Sequence, residues 1–136
     1  MTFTAITDSI PLQPGVQAYN MIASGSITKG QGVYLCGNEM VAVPPDAANA
    51  AATGQYLFGI SDGTVNDGEY VAIYGPLNLV RAKLSGNQPA GTLVGLHAEG
   101  YLCDSTKCKY ATGAIVVKGV SSTGEGEVLL LGCLSG

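Results

Sequence analysis

The 136-residue chain has no tryptophan, one histidine, two phenylalanines and only six lysines and arginines together. The single histidine, His97, falls just after a strand-like run and has no nucleophile or orienting acid near it in sequence. It reads as a polar residue at a strand end, and a nucleophile–base pair has little to be built from. Six scattered basic residues make no run that could neutralise a phosphate backbone, so nucleic acid is not an expected partner. No stretch approaches the roughly 18 apolar residues of a membrane span, and no membrane partner is expected. The start, Met1 to Asp8, lacks the basic and apolar regions of a secretory signal, so synthesis in a cytosol is expected. Phosphate-loop, dinucleotide and nucleophile-elbow motifs are missing: Gly30-Gln31-Gly32 opens no helix, and Ser24-Gly25-Ser26 is a turn. The reading is therefore of a non-enzyme without a cofactor or metal.

Charge is also scarce. Charged residues make up 12% of the chain, about half the usual share, while 46% are apolar. That combination argues for a packed core and against disorder. It also leaves much of the surface uncharged, as suits contact with other protein chains. The acidic residues Asp62, Asp67 and Glu69 lie close together around Gly63 and Gly68, but their spacing fits no calcium loop, and solvated turn carboxylates are expected. The seven tyrosines have no interleaved basic residues for base stacking and are expected in the core or at a protein interface. Four cysteines are present, and the four-residue insert between Cys103 and Cys108 leaves thiols, a small disulfide loop or half of a zinc site open.

What the chain has in abundance is strand and turn. Twenty glycines and six prolines punctuate it. Runs rich in branched and aromatic residues fall between them, over 32–36, 39–43, 55–60, 69–74, 77–82, 92–96, 114–118 and 127–131. The first two runs read as a hairpin turning at Gly37-Asn38. One short helical turn is conceivable over 46–52, though seven residues are marginal for a helix. The fold class is all-β: a small β-barrel or sandwich with little helix.

The chain also repeats itself. Gly30, Val33, Leu35 and Met40-Val41 recur sixty-one residues later as Gly91, Val94, Leu96 and Tyr101-Leu102. Phe58-Gly59-Ile60-Ser61 matches Lys118-Gly119-Val120-Ser121, sixty residues later, and Gly68-Glu69-Tyr70-Val71 matches Gly126-Glu127-Val128-Leu129, fifty-eight later. This predicts two related β units, about 27–76 and 88–132, in one domain over 27–136, differing by a two-residue loop change. Gly68 and Gly126 are expected in turns with positive φ, and Gly59 and Gly119 at bulges or bends. Residues 1–26 carry one charge, Asp8, and two extending prolines, Pro11 and Pro14. They read as an extended arm, whose Thr2, Phe3, Thr4, Ile6 and Ile10 could add to another chain's sheet edge.

The repeated cadence, Gly30-Val33-Leu35, Gly59-Ile60 and Gly68-Val71-Ile73, then Gly91-Val94-Leu96, Gly119-Val120 and Gly126-Val128-Leu130, resembles the capsid decoration, or cement, proteins of tailed phages. The resemblance spans about residues 16–132 and lies in turns and strands, not in chemistry. It implies copies, often homotrimers, on the outside of an icosahedral virion head. There they would bridge neighbouring major capsid protein subunits and stabilise the assembled shell, with the arm adding a strand to a capsid element. The alternative left open by the residues is a carbohydrate- or host-surface-binding β module of a virion, with exposed tyrosines holding sugars.

Overall fold

A computed structural model of the chain describes residues 18–45, 56–104 and 112–131. The described residues form ten strands and one 3₁₀ turn, arranged as two closed five-stranded barrels. The N-terminal barrel contains β1 (Ala18–Ala23), β2 (Gly32–Gly37), β3 (Met40–Ala42), β4 (Gly59–Ser61) and β5 (Tyr70–Tyr74). The C-terminal barrel contains β6 (Leu79–Leu84), β7 (Leu93–Leu96), β8 (Leu102–Asp104), β9 (Thr112–Lys118) and β10 (Gly124–Leu130), with the 3₁₀ turn Ala98–Gly100 between β7 and β8.

The two barrels have one topology. The first closes in the order β1-β3-β2-β4-β5 and the second in the corresponding order β6-β8-β7-β9-β10. In each, the first and third strands pair parallel and the other neighbours pair antiparallel. Closure pairs every strand on both sides and removes the exposed edges that invite aggregation. Gly30 and Gly91 hold the same place before the second strand of each unit, both at φ 93°, a left-handed turn that only glycine takes without strain.

The registers locate the repeat residue by residue. Ala23↔Val41 and Leu35↔Val41 become Leu84↔Leu102 and Leu96↔Leu102, the expected sixty-one-residue shift. In the second half of each unit the correspondence differs from the expected one. Gly32↔Ile60 and Val33↔Gly59 become Leu93↔Ile115 and Val94↔Ala114, and Asn20↔Ala72 becomes Arg81↔Glu127, a shift of fifty-five residues. The loop change between the units is thus six residues and not two. The glycines of the two units do not correspond here because they answer to separate backbone contacts. A side chain at Gly59 would strike the Tyr74 carbonyl, at Gly119 the Gln88 carbonyl and at Gly126 the Lys118 carbonyl. Gly68 does take the expected positive φ of 86°, whereas Gly126 lies inside β10. Register shifts fall at Leu35/Gly37, Val94/Gly95 and Glu127/Val128, not at Gly59 or Gly119.

The hairpin forms as expected, but it turns one residue later, over Asn38-Glu39, with Glu39 at φ 55°. Residues 18–23, counted in sequence as the end of the arm, are β1: its alternate residues Met21 and Ala23 are buried in the N-terminal barrel. Residues 1–17, the segment 46–52 and Cys108 lie outside the described residues.

Each barrel has its own core. Met21, Ala23, Ile27, Val33, Val41, Val71 and Ile73 fill the first. Val80, Ala82, Leu84, Val94, Leu96, Leu102, Ala114, Val116, Val128 and Leu130 fill the second, and this cluster continues into Leu57 and Ile60 of the N-terminal unit. The barrels are therefore packed on each other and not strung on a linker.

Candidate interaction surface

The packing between the barrels uses an outer face of the first. Paired residues of an antiparallel ladder lie on the same face, so Ala18↔Tyr74, Tyr74↔Ile60 and Ile60↔Gly32 define a row across β1, β5, β4 and β2 on the outside of the N-terminal barrel. Ile60 in this row has no exposed surface, because the C-terminal barrel covers it. Tyr34 and Tyr74 pack on the same cluster. Gly32 sits where a Cβ would be 2.8 Å from Leu96 Cδ1 and 3.1 Å from Leu102 Cδ2, so its lack of a side chain lets the second barrel approach. Three polar contacts clamp the junction. Gln31 Nε2 donates to the Glu99 carbonyl (2.9 Å), Glu99 N–H to the Pro44 carbonyl (2.8 Å) and Lys83 N–H to the Gly30 carbonyl (3.1 Å).

The equivalent row on the C-terminal barrel is Leu79↔Leu129, Leu129↔Ile115 and Ile115↔Leu93. Nothing among the described residues covers it to the same degree. Leu79 is 58% exposed and Leu93 44%, while Leu129 and Ile115 are half-buried. Val117 and Leu77 add further exposed apolar side chains, Leu77 at 80%. An antiparallel strand with one wet face should alternate apolar and polar residues. Ala114-Ile115-Val116-Val117 and Val128-Leu129-Leu130 do not, and that missing alternation is the sequence signal that marks this face.

A cleft of about 280 Å³ opens where the barrels meet, lined by Lys29, Ser61, Asp62 and Tyr74 from the first unit and by Asn78 to Arg81 from the second. Its polar groups are engaged within the first barrel and in the turn that leads to the second. The Ser61 hydroxyl donates to the Thr28 carbonyl (2.6 Å), and buried Asn78 donates through Nδ2 to the Gly75 carbonyl (2.9 Å). Lys29 Nζ lies 3.9 Å from Asp62 Oδ1 in an exposed pair, a geometry that contributes little to stability. Burial raises the Tyr74 pKa above the usual phenol value, and its hydrogen bond to Asp62 and that carboxylate's charge raise it further. Tyr74 therefore keeps its proton throughout the neutral range and acts as a donor.

The other residues singled out in sequence are dispersed. Asp67 Oδ1 accepts from Gly25 N–H (2.8 Å) and ties two turns together, and Glu69 Oε1 accepts from Asn66 N–H (2.7 Å) and closes its own turn. No group of three His, Cys, Asp or Glu among the described residues is placed to hold a metal ion. His97 precedes the 3₁₀ turn, with its N–H on the Tyr101 carbonyl (2.8 Å). The Cys36 thiol is exposed, whereas Cys103 is buried beside Gln88 Nε2 at 3.7 Å. Tyr19 packs against Phe58 with ring centroids 6.1 Å apart, and Lys83 Nζ lies 5.9 Å from the Tyr101 ring centroid. Thr2, Phe3, Thr4, Ile6 and Ile10 lie outside the described residues.

No family model matches the chain, and neither does any curated protein. Among solved structures, it is similar to the N base of the head fibre protein gp8.5 of bacteriophage phi29, with a TM-score of 0.61 over 90% of this chain and 100% of that one. The two sequences are 9% identical, so the likeness is one of fold.

Proposed function

We propose that the chain is a non-enzymatic structural protein of a tailed-phage virion. In this reading it binds the outside of the assembled head and stabilises it by bridging major capsid subunits. The observation that carries the reading is the fold. The two-barrel architecture is shared along the whole of a phage head fibre base and most of this chain. The repeated turn-and-strand cadence, the low charge and the open apolar row support the same reading. A protein that binds only the assembled shell stabilises it by mass action, and contacts to several subunits at once turn weak single contacts into firm attachment. Residues 1–17, nearly uncharged, would supply a strand to a capsid element.

The head fibre neighbour favours a second reading: a base that attaches to the head without strengthening it. Cosedimentation with purified heads tests attachment, and the temperature at which heads release DNA separates the two readings. Decorated heads should disrupt at a higher temperature if the protein bridges subunits. Firm binding with an unchanged disruption temperature would leave the base reading and remove the bridging one. Deleting residues 1–14 should leave a folded protein that no longer cosediments; undiminished binding would remove the arm's role.

A further inference from the structure

The open row of the C-terminal barrel begins beside the point where the chain enters the N-terminal one. Ala18, the first residue of β1, is exposed and pairs with Tyr74. Tyr74 and Leu79 line one cleft, and Leu79 is the first member of the row. Residues 1–17 therefore join the fold at the rim of the cleft from which the row leads away over Leu79, Leu129 and Ile115. Crossing from β6 through β10 to β9 takes two strand spacings, about 10 Å in all. The segment from Ile10 to Gln17 reaches about 26 Å when extended.

The pattern of that segment suits the face. Ser9 to Gln17 carries no charge, and the alternate residues Ile10, Leu12, Pro14 and Val16 are all apolar. Between them fall Pro11, Gln13 and Gly15. Pro11 and Pro14 favour extended backbone at their own positions and at the preceding Ile10 and Gln13. Side chains of an extended chain point alternately to opposite sides, so one side of the segment is apolar. The two prolines lack the N–H that an inner strand needs, and a closed barrel has no unpaired edge for a strand to join. What this barrel offers instead is an apolar face, and a contiguous patch of that kind is seldom left open on a soluble protein. A tethered segment meets it at an effective concentration on the order of millimolar, ahead of a partner from solution.

We infer that residues 10–17 lie across Leu79, Leu129 and Ile115 as a strap, with Val16 at the cleft and Ile10 over β9. The strap ties the entry of the first barrel to the outer face of the second. It also fixes where Thr2, Phe3, Thr4 and Ile6 leave the molecule, which is beside β9. The inference rests on the fold and on where β1 begins, and not on the capsid reading.

Isoleucine methyl spectra of the full chain, without heads, test it. Ile115 is the one isoleucine from Leu77 onward, so its δ1 methyl reports on the row. Buried Ile60, packed on the second core, and Ile73, in the first, report on the fold. In the wild type the Ile10 and Ile115 methyls should share a nuclear Overhauser cross-peak whose relative intensity survives dilution. Joint Ile10→Ser, Leu12→Ser and Val16→Ser substitution should shift the Ile115 methyl and leave Ile60 and Ile73 in place. Leu79→Ser, at an exposed position, should move the Ile10 methyl to the position of an unstructured isoleucine. No wild-type cross-peak, or an Ile115 methyl indifferent to the serine substitutions, would overturn the inference. So would a cross-peak that fades on dilution, which would assign the row to a second copy. Cosedimentation with heads is a separate measurement, so the capsid reading can fail while the strap stands.

Discussion

Gly32 and Leu93 occupy the same position in the two barrels, and they differ because one is covered and the other is open. Gly32 pairs with Ile60 beneath the tips of Leu96 and Leu102, whereas Leu93 pairs with Ile115 at a surface left 44% exposed. Duplication supplies two copies of one face, and the residue at this position records which copy was used to join the units. The same holds at the docking end, where Gly100 fits against Gln31 and Gly32 and its counterpart Glu39 faces solvent.

Exchanging these residues should therefore have unequal effects. Gly32→Leu forces a side chain into the packed junction and should cost about 2–3 kcal/mol, as overfilled cores do. Leu93→Gly loses an exposed side chain and gains backbone entropy in the unfolded state, at a cost of about 1 kcal/mol. Urea unfolding of the full chain measures both. A Gly32→Leu variant as stable as the wild type would show that the barrels do not pack through this face.

Gln88 and Ile27 form a second such pair. Each makes the isolated backbone bridge ahead of the second strand in its barrel, Ile27 with Val65 and Gln88 with Val120. Ile27 is fully buried, and Gln88 is 2% exposed with an Oε1 that has no hydrogen-bond partner among the described residues. Gln88→Ile removes that unsatisfied oxygen at the cost of the Nε2 bond to the Ser85 carbonyl (2.8 Å) and a weak one to Cys103 Sγ (3.7 Å). A buried unsatisfied group costs about 1–3 kcal/mol and a typical hydrogen bond contributes about 1, so a net gain of about 1 kcal/mol is expected. A lower thermal midpoint for Gln88→Ile would contradict it.

The strands and the duplication were legible because both depend on local chemistry. Branched and aromatic runs between turns mark strands, and the shift from Gly30-Val33-Leu35 to Gly91-Val94-Leu96 follows from two equivalent left-handed turns. The later half of the repeat is not legible in the same way, because Gly59, Gly119 and Gly126 are each required by a different carbonyl, and such contacts leave no local signature. β1 reads as arm in sequence because residues 1–26 share one charge, Asp8, and two extending prolines, and within Ala18–Ala23 only Met21 and Ala23 turn out to be buried, a weak alternation. The open row was readable from β9 and the end of β10, where the outward Ile115, Val117 and Leu129 are as apolar as the inward Val116, Val128 and Leu130. Its covered counterpart was not, since burial of Ile60 depends on a barrel more than twenty residues further along.

Alkaline titration should single out Tyr74. Its folded-state pKa is raised, chiefly by burial and then by Asp62, so above the ordinary phenol pKa near 10 the unfolded chain ionises while the native chain keeps its proton. The native state then binds more protons than the unfolded state, and stability falls as pH rises above 10. Below that range the contribution is fully present and independent of pH. Tyr74→Phe should be less stable than the wild type at pH 8, having lost the bond to Asp62, and should show a shallower decline at alkaline pH. Parallel unfolding curves for the two proteins from pH 8 to 11 would refute the assignment.

Leu77 tests whether strain at the junction is retained for a reason outside the fold. It lies between the barrels at φ 69°, its N–H donates to the Leu130 carbonyl (2.6 Å), and its side chain is 80% exposed. A non-glycine residue in this conformation costs about 1–2 kcal/mol, and an exposed side chain recovers little of it through burial within the chain. Leu77→Gly keeps the hydrogen bond and relieves the strain while raising unfolded-state entropy, for a net gain of about 0.5–1 kcal/mol. The isolated protein should therefore melt a few degrees higher. Heads should hold the variant less firmly if Leu77 contributes apolar surface beside Leu79 to a partner. A gain in stability with undiminished head binding would confine the role of Leu77 to the turn, and a loss of stability would show that its side chain packs within the chain after all.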